Sequence, residues 1–256
     1  MEVYAQSHRI ITDISQDGMD ELRRIETIGR TCYKSENKEL DDEKTKTFVG
    51  NIIKNGHESV LEHGTLSVMF TTDRGVTHEL VRHRLASYTQ ESTRYCNYSL
   101  GKFGREIAVV KPVDISVKDP AYSIWLSACA QAEASYFDML KAGCKPEQAR
   151  AVLPTCLKAD ICVTANYREW RHILKLRTGK GAHPQIRALM TDLLMELRHR
   201  IPVIFDDIEP YDESFDKFYS EHACKDMSEH EMAQALGLTT IEFRRKVSAR
   251  GKNRSV

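Results

Sequence analysis

Long apolar runs are missing from this 256-residue chain. No stretch approaches the roughly 18 apolar residues that a membrane-spanning helix needs. The first residues, MEVYAQSHRIITDIS, lack the basic start and apolar centre of a secretory signal. An excess of charge is missing too: 37 Lys+Arg balance 37 Asp+Glu, for a formal net charge of zero. Proteins that coat nucleic acid or bind membranes through polybasic surfaces do not usually balance like this, so any anion site must be local. The seven cysteines (Cys32, Cys96, Cys129, Cys144, Cys156, Cys162 and Cys224) are odd in number and form no C-x-x-C pair. That argues against a secreted disulfide framework and a structural zinc site. The expectation is a soluble, reduced, cytoplasmic protein with no metal.

What is present is enough for a folded core. The chain is 41% hydrophobic and 29% charged, outside the range of disorder, and long enough for one large domain with a small appendage. The start alternates weakly, as a strand would, with Val3, Ile10, Ile11 and Ile14 as expected buried positions. Met19, Leu22, Ile25 and Ile28 predict a helix from Asp17 to about Tyr33, and Phe48, Val49, Ile52 and Ile53 a second over Asp41 to Lys54, stopped by Asn55-Gly56. Thr65 to Thr72 alternates as a half-buried strand. A helix over Val76 to about Leu85 and a polar segment to Ser99 follow.

Further on, Ile107 to Val110 reads as a strand and Ala121 to Lys141 as a long helix. Pro146 opens a helix that Pro154 ends. Ile161 to Val163 reads as a strand and Asn166 to Leu176 as a helix. Gly179 and Gly181 break it before a helix with a broad apolar stripe, Pro184 to Arg198. There is no internal repeat, no low-complexity tract and no regular βαβ rhythm. The expected class is α+β: helices and a small sheet in one domain, with a short helical C-terminal extension.

Chemistry concentrates in Glu79-Leu-Val-Arg-His-Arg-Leu-Ala-Ser-Tyr-Thr-Gln-Glu-Ser-Thr-Arg-Tyr95. Arg82 and Arg84 would diverge by about 200° on a helix, so they would serve two different anions, or one anion and a structural carboxylate. Guanidinium forks suit phosphates because they donate two parallel hydrogen bonds. On spacing alone, a solvated face with salt bridges explains the run equally well.

A specific resemblance separates the two readings. Arg82-His83-Arg84, followed by Ser92 and then Arg94-Tyr95, resembles the signature of the flavin-dependent thymidylate synthases, also called thymidylate synthase-complementing proteins. Asn55-Gly-His-Glu-Ser-Val-Leu-Glu-His63 is similar to that family's upstream block. Ala149-Arg150-Ala-Val-Leu-Pro154, Asn166-Tyr-Arg168 with His172, and Leu176-Arg177 resemble further blocks in family order. Together they span most of residues 1 to about 210.

The resemblance implies transfer of a one-carbon unit from methylenetetrahydrofolate to dUMP, giving dTMP, with FAD carrying hydride and NADPH as reductant. It implies FAD ligands at Ser59, Arg82, His83, Arg84, Asn166, Arg168 and His172, with Gln90, and places His57 and Glu62 near the flavin. The nucleotide falls to Glu79, Arg82, Gln90, Glu91, Ser92, Thr93, Arg94, Arg150 and Arg177. Arg177 matches the family's activating arginine, which would stabilise charge on the uracil as its N3 proton leaves. A homotetramer with shared sites is implied as well.

No Pro-Cys-His segment of the cysteine-dependent enzymes is present; Cys156 is only a weak imitation, and Cys96 reads as a small buried hydrophobe. The chain departs from the common family pattern at Glu79, Thr89-Gln90, His172 and His183-Pro184.

Residues 1–225 are expected to form the catalytic domain and 226–256 an extension. Glu231 to Phe243 looks like a helix-turn-helix, followed by Arg244, Arg245, Lys246, Arg250, Lys252 and Arg254. A packed helical hairpin with a solvated basic end is favoured over nucleic-acid contact. Two alternatives carry forward: a pyrimidine nucleotide hydroxymethylase on the same scaffold, and a DNA-binding regulator using the basic tail.

Overall fold

The computed structural model describes residues 1–32, 34–35, 41–101, 104–222 and 227–252. The expected helix end at Tyr33, together with Cys224 and Arg254, lies outside them. In chain order, β1 (Glu2–Tyr4) and β2 (Ser7–Ile10) precede α1 (Met19–Thr31) and α2 (Asp42–Lys54). A 3₁₀ segment (Glu58–His63) leads to β3 (Thr65–Asp73), α3 (Arg74–Leu80), β4 (Ala86–Gln90) and β5 (Ala108–Val110). Then come α4 (Pro120–Lys141), α5 (Pro146–Ala149), β6 (Lys158–Asn166), α6 (Tyr167–Arg177) and α7 (Pro184–Arg200). The chain closes with α8 (Glu213–His222), α9 (Glu229–Ala235) and α10 (Thr240–Lys252).

Four strands form an antiparallel sheet in the order β2-β3-β6-β4, and β1 pairs with β5 in a separate parallel ribbon. The α+β expectation holds. One face of the large sheet, carrying Leu66, Val68, Phe70, Ile161 and Val163, is buried with α1, α6 and α7 in the main core. Period-two alternation along β3 and β6 places these residues there. The Trp170 indole donates to the Leu66 carbonyl at 2.9 Å, fixing α6 on β3. Gly64 is required at that junction, because a Cβ there would overlap the Tyr167 ring. Arg171 is fully buried beneath α6 and donates to Glu58, both Asp207 oxygens and the Ile204 carbonyl.

Three expectations need correction. Val3 and Ile11 are exposed rather than buried: β1 lies in the small ribbon and Ile11 just beyond the end of β2. The helix expected to reach Leu85 ends at Leu80, and the polar segment after it contains β4. Asp73 caps its N-terminus by accepting from the Val76 amide. At its far end the Tyr88 hydroxyl takes the Leu80 carbonyl at 2.8 Å and the His83 carbonyl at 2.6 Å, so β4 supplies the partner that another helical turn would have. The strand expected at Ile161–Val163 extends over all of β6, because β3 and β4 pair with it from both sides.

Candidate active site

The turn between α3 and β4 meets the C-terminal end of α6. Arg177, the last residue of α6, donates from Nε to His83 Nε2 at 3.0 Å. It also bonds the Glu79 carboxylate at 2.7 Å and the Glu79 carbonyl at 3.0 Å. An arginine cannot accept, so His83 presents a lone pair at Nε2 and carries its proton on Nδ1. Burial first, then the charge of Arg177 and the neighbourhood of His172, lower the His83 pKa to about 4. The ring is therefore neutral at neutral pH, as an acceptor must be.

The His172 and His83 rings lie 5.7 Å apart, edge to face, and Glu169 Oε1 is 3.8 Å from His83 Nδ1. His83, Glu169 and His172 offer ligand atoms within 4.8 Å of one another. The Arg177 bond nevertheless keeps a proton on the His83 nitrogen facing Glu169, which opposes metal coordination there.

A second group stands at the other end of β4, separated from the first by five strand residues, about 16 Å. Arg150 donates to the Thr93 hydroxyl at 3.2 Å. Glu91 accepts from the Tyr98 hydroxyl at 3.1 Å and faces Lys158 at 3.5 Å. Ser92 accepts from the Arg94 amide at 3.3 Å, and the Arg94 guanidinium lies on the Tyr95 ring. Gln90, on β4 itself, turns its amide onto the Thr77 hydroxyl at 2.9 Å.

A third group flanks the first. Arg168 pairs with Glu62 at 2.5 Å and lines two clefts. One, of about 620 Å³, has His57 and Ser59 on its wall over an apolar floor of Phe48, Ile52 and Val60. The other, of about 630 Å³, takes in Asn166, Glu169, His172 and Lys175. The Asn166 side-chain oxygen accepts from the Glu169 amide at 2.8 Å and caps α6, so its NH₂ is the part left to donate. Arg82 and Arg84 are exposed and make no side-chain hydrogen bond or ion pair among the described residues.

These features fit a flavin dinucleotide. The first cleft joins an apolar floor to polar groups at His57, Ser59 and Arg168, the second is lined almost entirely by charged and polar side chains, and both volumes lie in the range of ligand sites. Free guanidinium groups at Arg82 and Arg84 suit a pyrophosphate.

Residues 15–203 match the family model described as "Thymidylate synthase complementing protein". The chain belongs to that family. The flavin-dependent thymidylate synthase of Mycobacterium tuberculosis is 37% identical over 198 residues, covering 72% of this chain and 78% of that one. That of Mycolicibacterium gilvum is 34% identical over 202 residues, with the same coverage. Among solved structures, the fold resembles the UMP/dUMP methylase PolB from Streptomyces cacaoi bound with 5-Br dUMP. The TM-score is 0.65 at 20% identity, covering 80% of this chain and 96% of that one. Like its relatives in the thymidylate synthase complementing protein family, the chain is read as an enzyme.

Sequence reasoning missed three members of the site. Tyr88 ties the Arg82-His83-Arg84 turn to β4. Glu169 is buried beside His83, and Arg171 anchors the underside of α6. A periodicity signal existed for the last two: both are charges on the buried stripe that also carries Tyr167, Trp170, Ile173 and Leu174. Cys156 lies outside this constellation, its sulfur 3.4 Å from that of Cys129. Among the described residues no disulfide forms, and no helix is long and apolar enough to cross a membrane.

Proposed function

We propose that the chain methylates dUMP to dTMP with methylenetetrahydrofolate as carbon donor, FAD as flavin and NADPH as reductant. The observation that carries this reading is the Arg177–His83–Glu79 constellation. It brings the Arg82-His83-Arg84 and Leu176-Arg177 blocks together across 94 residues of sequence. The family membership and the names of the relatives support the same reaction.

In this reading Arg82, Arg84, Arg168, Ser59 and the Asn166 NH₂ hold FAD, with His57, Glu62, His83, Gln90 and His172 lining its place. Bound FAD supplies the hydride that completes the methyl group. Arg150, Ser92, Thr93 and Arg94 take the nucleotide phosphate and sugar beside Glu91. Arg177 faces the uracil and stabilises negative charge as the N3 proton leaves, which raises electron density at carbon 5 without a protein nucleophile. Neutral His83 accepts from Arg177 and holds the guanidinium in one orientation, while Glu79 balances its charge.

The resemblance also implies a homotetramer that completes each site with residues of a neighbouring subunit, so the groups at the two ends of β4 need not meet within one chain.

The test is titration of dUMP into FAD-reconstituted protein, following the visible flavin absorbance, with dCMP as control. A saturable shift with dUMP alone is expected. Its absence, or failure to retain flavin, would reject the reading. Product mass then separates dTMP from a hydroxymethyl nucleotide, which is heavier by one oxygen.

A further inference from the structure

The C-terminal helices lie beyond residue 203, where the family match ends. They have a small core of their own, in which Phe215 on α8 packs with Met232, Ala233 and Phe243 of α9 and α10. The basic residues expected to face solvent or nucleic acid partly turn inward. Lys246 pairs with Asp212 at 2.7 Å, and Arg250 pairs with Asp216 and donates to the Ser220 hydroxyl.

Tyr211 and α8, on which α9 and α10 pack, rest on the segment that directly follows Arg177. The Tyr211 amide donates to the Thr178 carbonyl at 2.9 Å, capping the last turn of α6. Asp216 reaches Lys180 at 2.7 Å while also receiving Arg250. The Tyr211 ring lies between two cations, Lys180 at 5.3 Å and Arg187 at 5.2 Å. Arg187 in turn donates to the Lys180 and Ala182 carbonyls.

Between Thr178 and His183 the chain reads Gly-Lys-Gly-Ala, and a Cβ at Gly181 would meet nothing within 4 Å. Thr178, Gly179 and Ala182 are buried, and Thr178 and Ala182 bond back to Leu174 and Gly179, so the main domain holds both ends of the stretch. Lys180 between them is exposed, and its contacts come from Tyr211, Asp216 and Arg187.

We infer that Tyr211 and α8, with α9 and α10 packed behind them, form a clamp on residues 178–183 that fixes the end of α6 and so holds Arg177 against His83 and Glu79. Asp216 and Tyr211 are then positioning residues for Arg177, acting through Lys180 and Thr178. The inference rests on the catalytic reading of Arg177, but the clamp itself is a physical arrangement that can be measured without turnover.

The test uses the full-length, flavin-loaded protein and the variants Asp216→Asn and Tyr211→Leu, with Lys180→Met to check coupling. Hydrogen exchange of the Arg177–Ala182 amides, read without substrate, should rise about tenfold or more in each variant. Flavin content should be unchanged, and kcat should fall about tenfold with little change in KM, as expected for a misplaced activating group. Lys180→Met combined with Asp216→Asn should cost no more than either alone.

Unchanged exchange in both Asp216→Asn and Tyr211→Leu would overturn the clamp, whatever the activity. Raised exchange with unchanged kcat would show that the extension packs on the segment without positioning Arg177, and would also overturn the inference. If the unaltered protein makes no dTMP, the proposed reaction fails separately. Exchange still decides the clamp, and the dUMP-induced flavin shift replaces kcat as the second readout. Should Asp216→Asn lose the α8–α10 helices by circular dichroism, Lys180→Met, which leaves the hairpin's own contacts intact, carries the test.

Discussion

Arg177 Nε donates to His83 Nε2 at 3.0 Å across 94 residues of sequence. Burial, reinforced by the guanidinium charge, keeps the imidazole neutral, and the imidazole holds one edge of the guanidinium so that its other nitrogens face Glu79. Arg177→Ala should remove turnover by about a hundredfold or more while flavin stays bound, which is the usual cost of losing a transition-state charge stabiliser. Normal dTMP formation by that variant in a single-turnover assay would exclude the activating role.

The same pair makes stability depend on pH. His83 is held near 4 against an ordinary 6.5, so the native ring stays neutral while the unfolded chain binds a proton between those values. The stabilisation is complete above pH 6.5 and is lost as pH falls toward 4, by about 3 kcal/mol for this group. Urea midpoints from pH 7.5 to 4.5 should therefore drop more steeply for the unaltered protein than for His83→Gln. Parallel curves would mean that His83 titrates normally.

Glu79 stands where many family members have glutamine, and its carboxylate engages Arg177 at 2.7 Å. Both side chains are partly open to solvent, so the pair adds little to stability. Glu79→Gln should leave the melting temperature within a degree or two. It should tighten dUMP roughly two- to fivefold, because a negative charge beside an anionic ligand is removed. Equilibrium titration by flavin absorbance checks this; weaker binding would show that the carboxylate itself holds the nucleotide.

Arg171 and Arg168 lie three residues apart on α6 and should behave in opposite ways. Arg171 is fully buried against Glu58 and Asp207. Burial acts to raise the Asp207 carboxyl, but the Arg171 hydrogen bonds and charge outweigh it and hold it below its ordinary value. Arg171→Met leaves those carboxylates with only the more distant Lys175 as a cation and should cost about 3–5 kcal/mol. Arg168→Ala, at an exposed position, should leave stability nearly unchanged and lower flavin retention. Chemical denaturation and the bound-flavin absorbance ratio measure the two effects.

On the outer face of α10, Arg244 and Arg245 are exposed, whereas Lys246 and Arg250 are paired inward. Arg244→Ser with Arg245→Ser should leave retention on a heparin or DNA column essentially unchanged. A marked loss of retention would revive the nucleic-acid reading of the tail.

Local signals were enough for most elements. Asp41 before α2 and Pro120 and Pro184 opening α4 and α7 act through the nearest turn, and the apolar spacing of α1 and α7 repeats within the helix itself. The apolar alternation of β3 is equally local. β4 was hidden because its alternation is short and weakly apolar: only Ala86 and Tyr88 pack on the core, between Ser87 and Thr89. It is a strand because β6 offers a partner edge and because Tyr88 spans back to the α3 turn. The exposure of Val3 and Ile11 was hidden for the converse reason, since a strand's apolar side chains are covered only if something packs above them.

The sequence alone nominated the residues proposed to carry the chemistry, because the motifs are contiguous and each amino-acid type has a narrow chemical use. It also determined the α+β class, because helical and strand periodicities are properties of short segments. Tertiary structure decided the pairings: Arg177 with His83 and Glu79, Arg150 with Thr93, Arg171 with Asp207, and the tail cations with Asp212 and Asp216. Each joins residues far apart in the chain. Which of many available carboxylates or hydroxyls a cation meets depends on how the sheet and helices bury their apolar faces, and that is settled by the whole core at once.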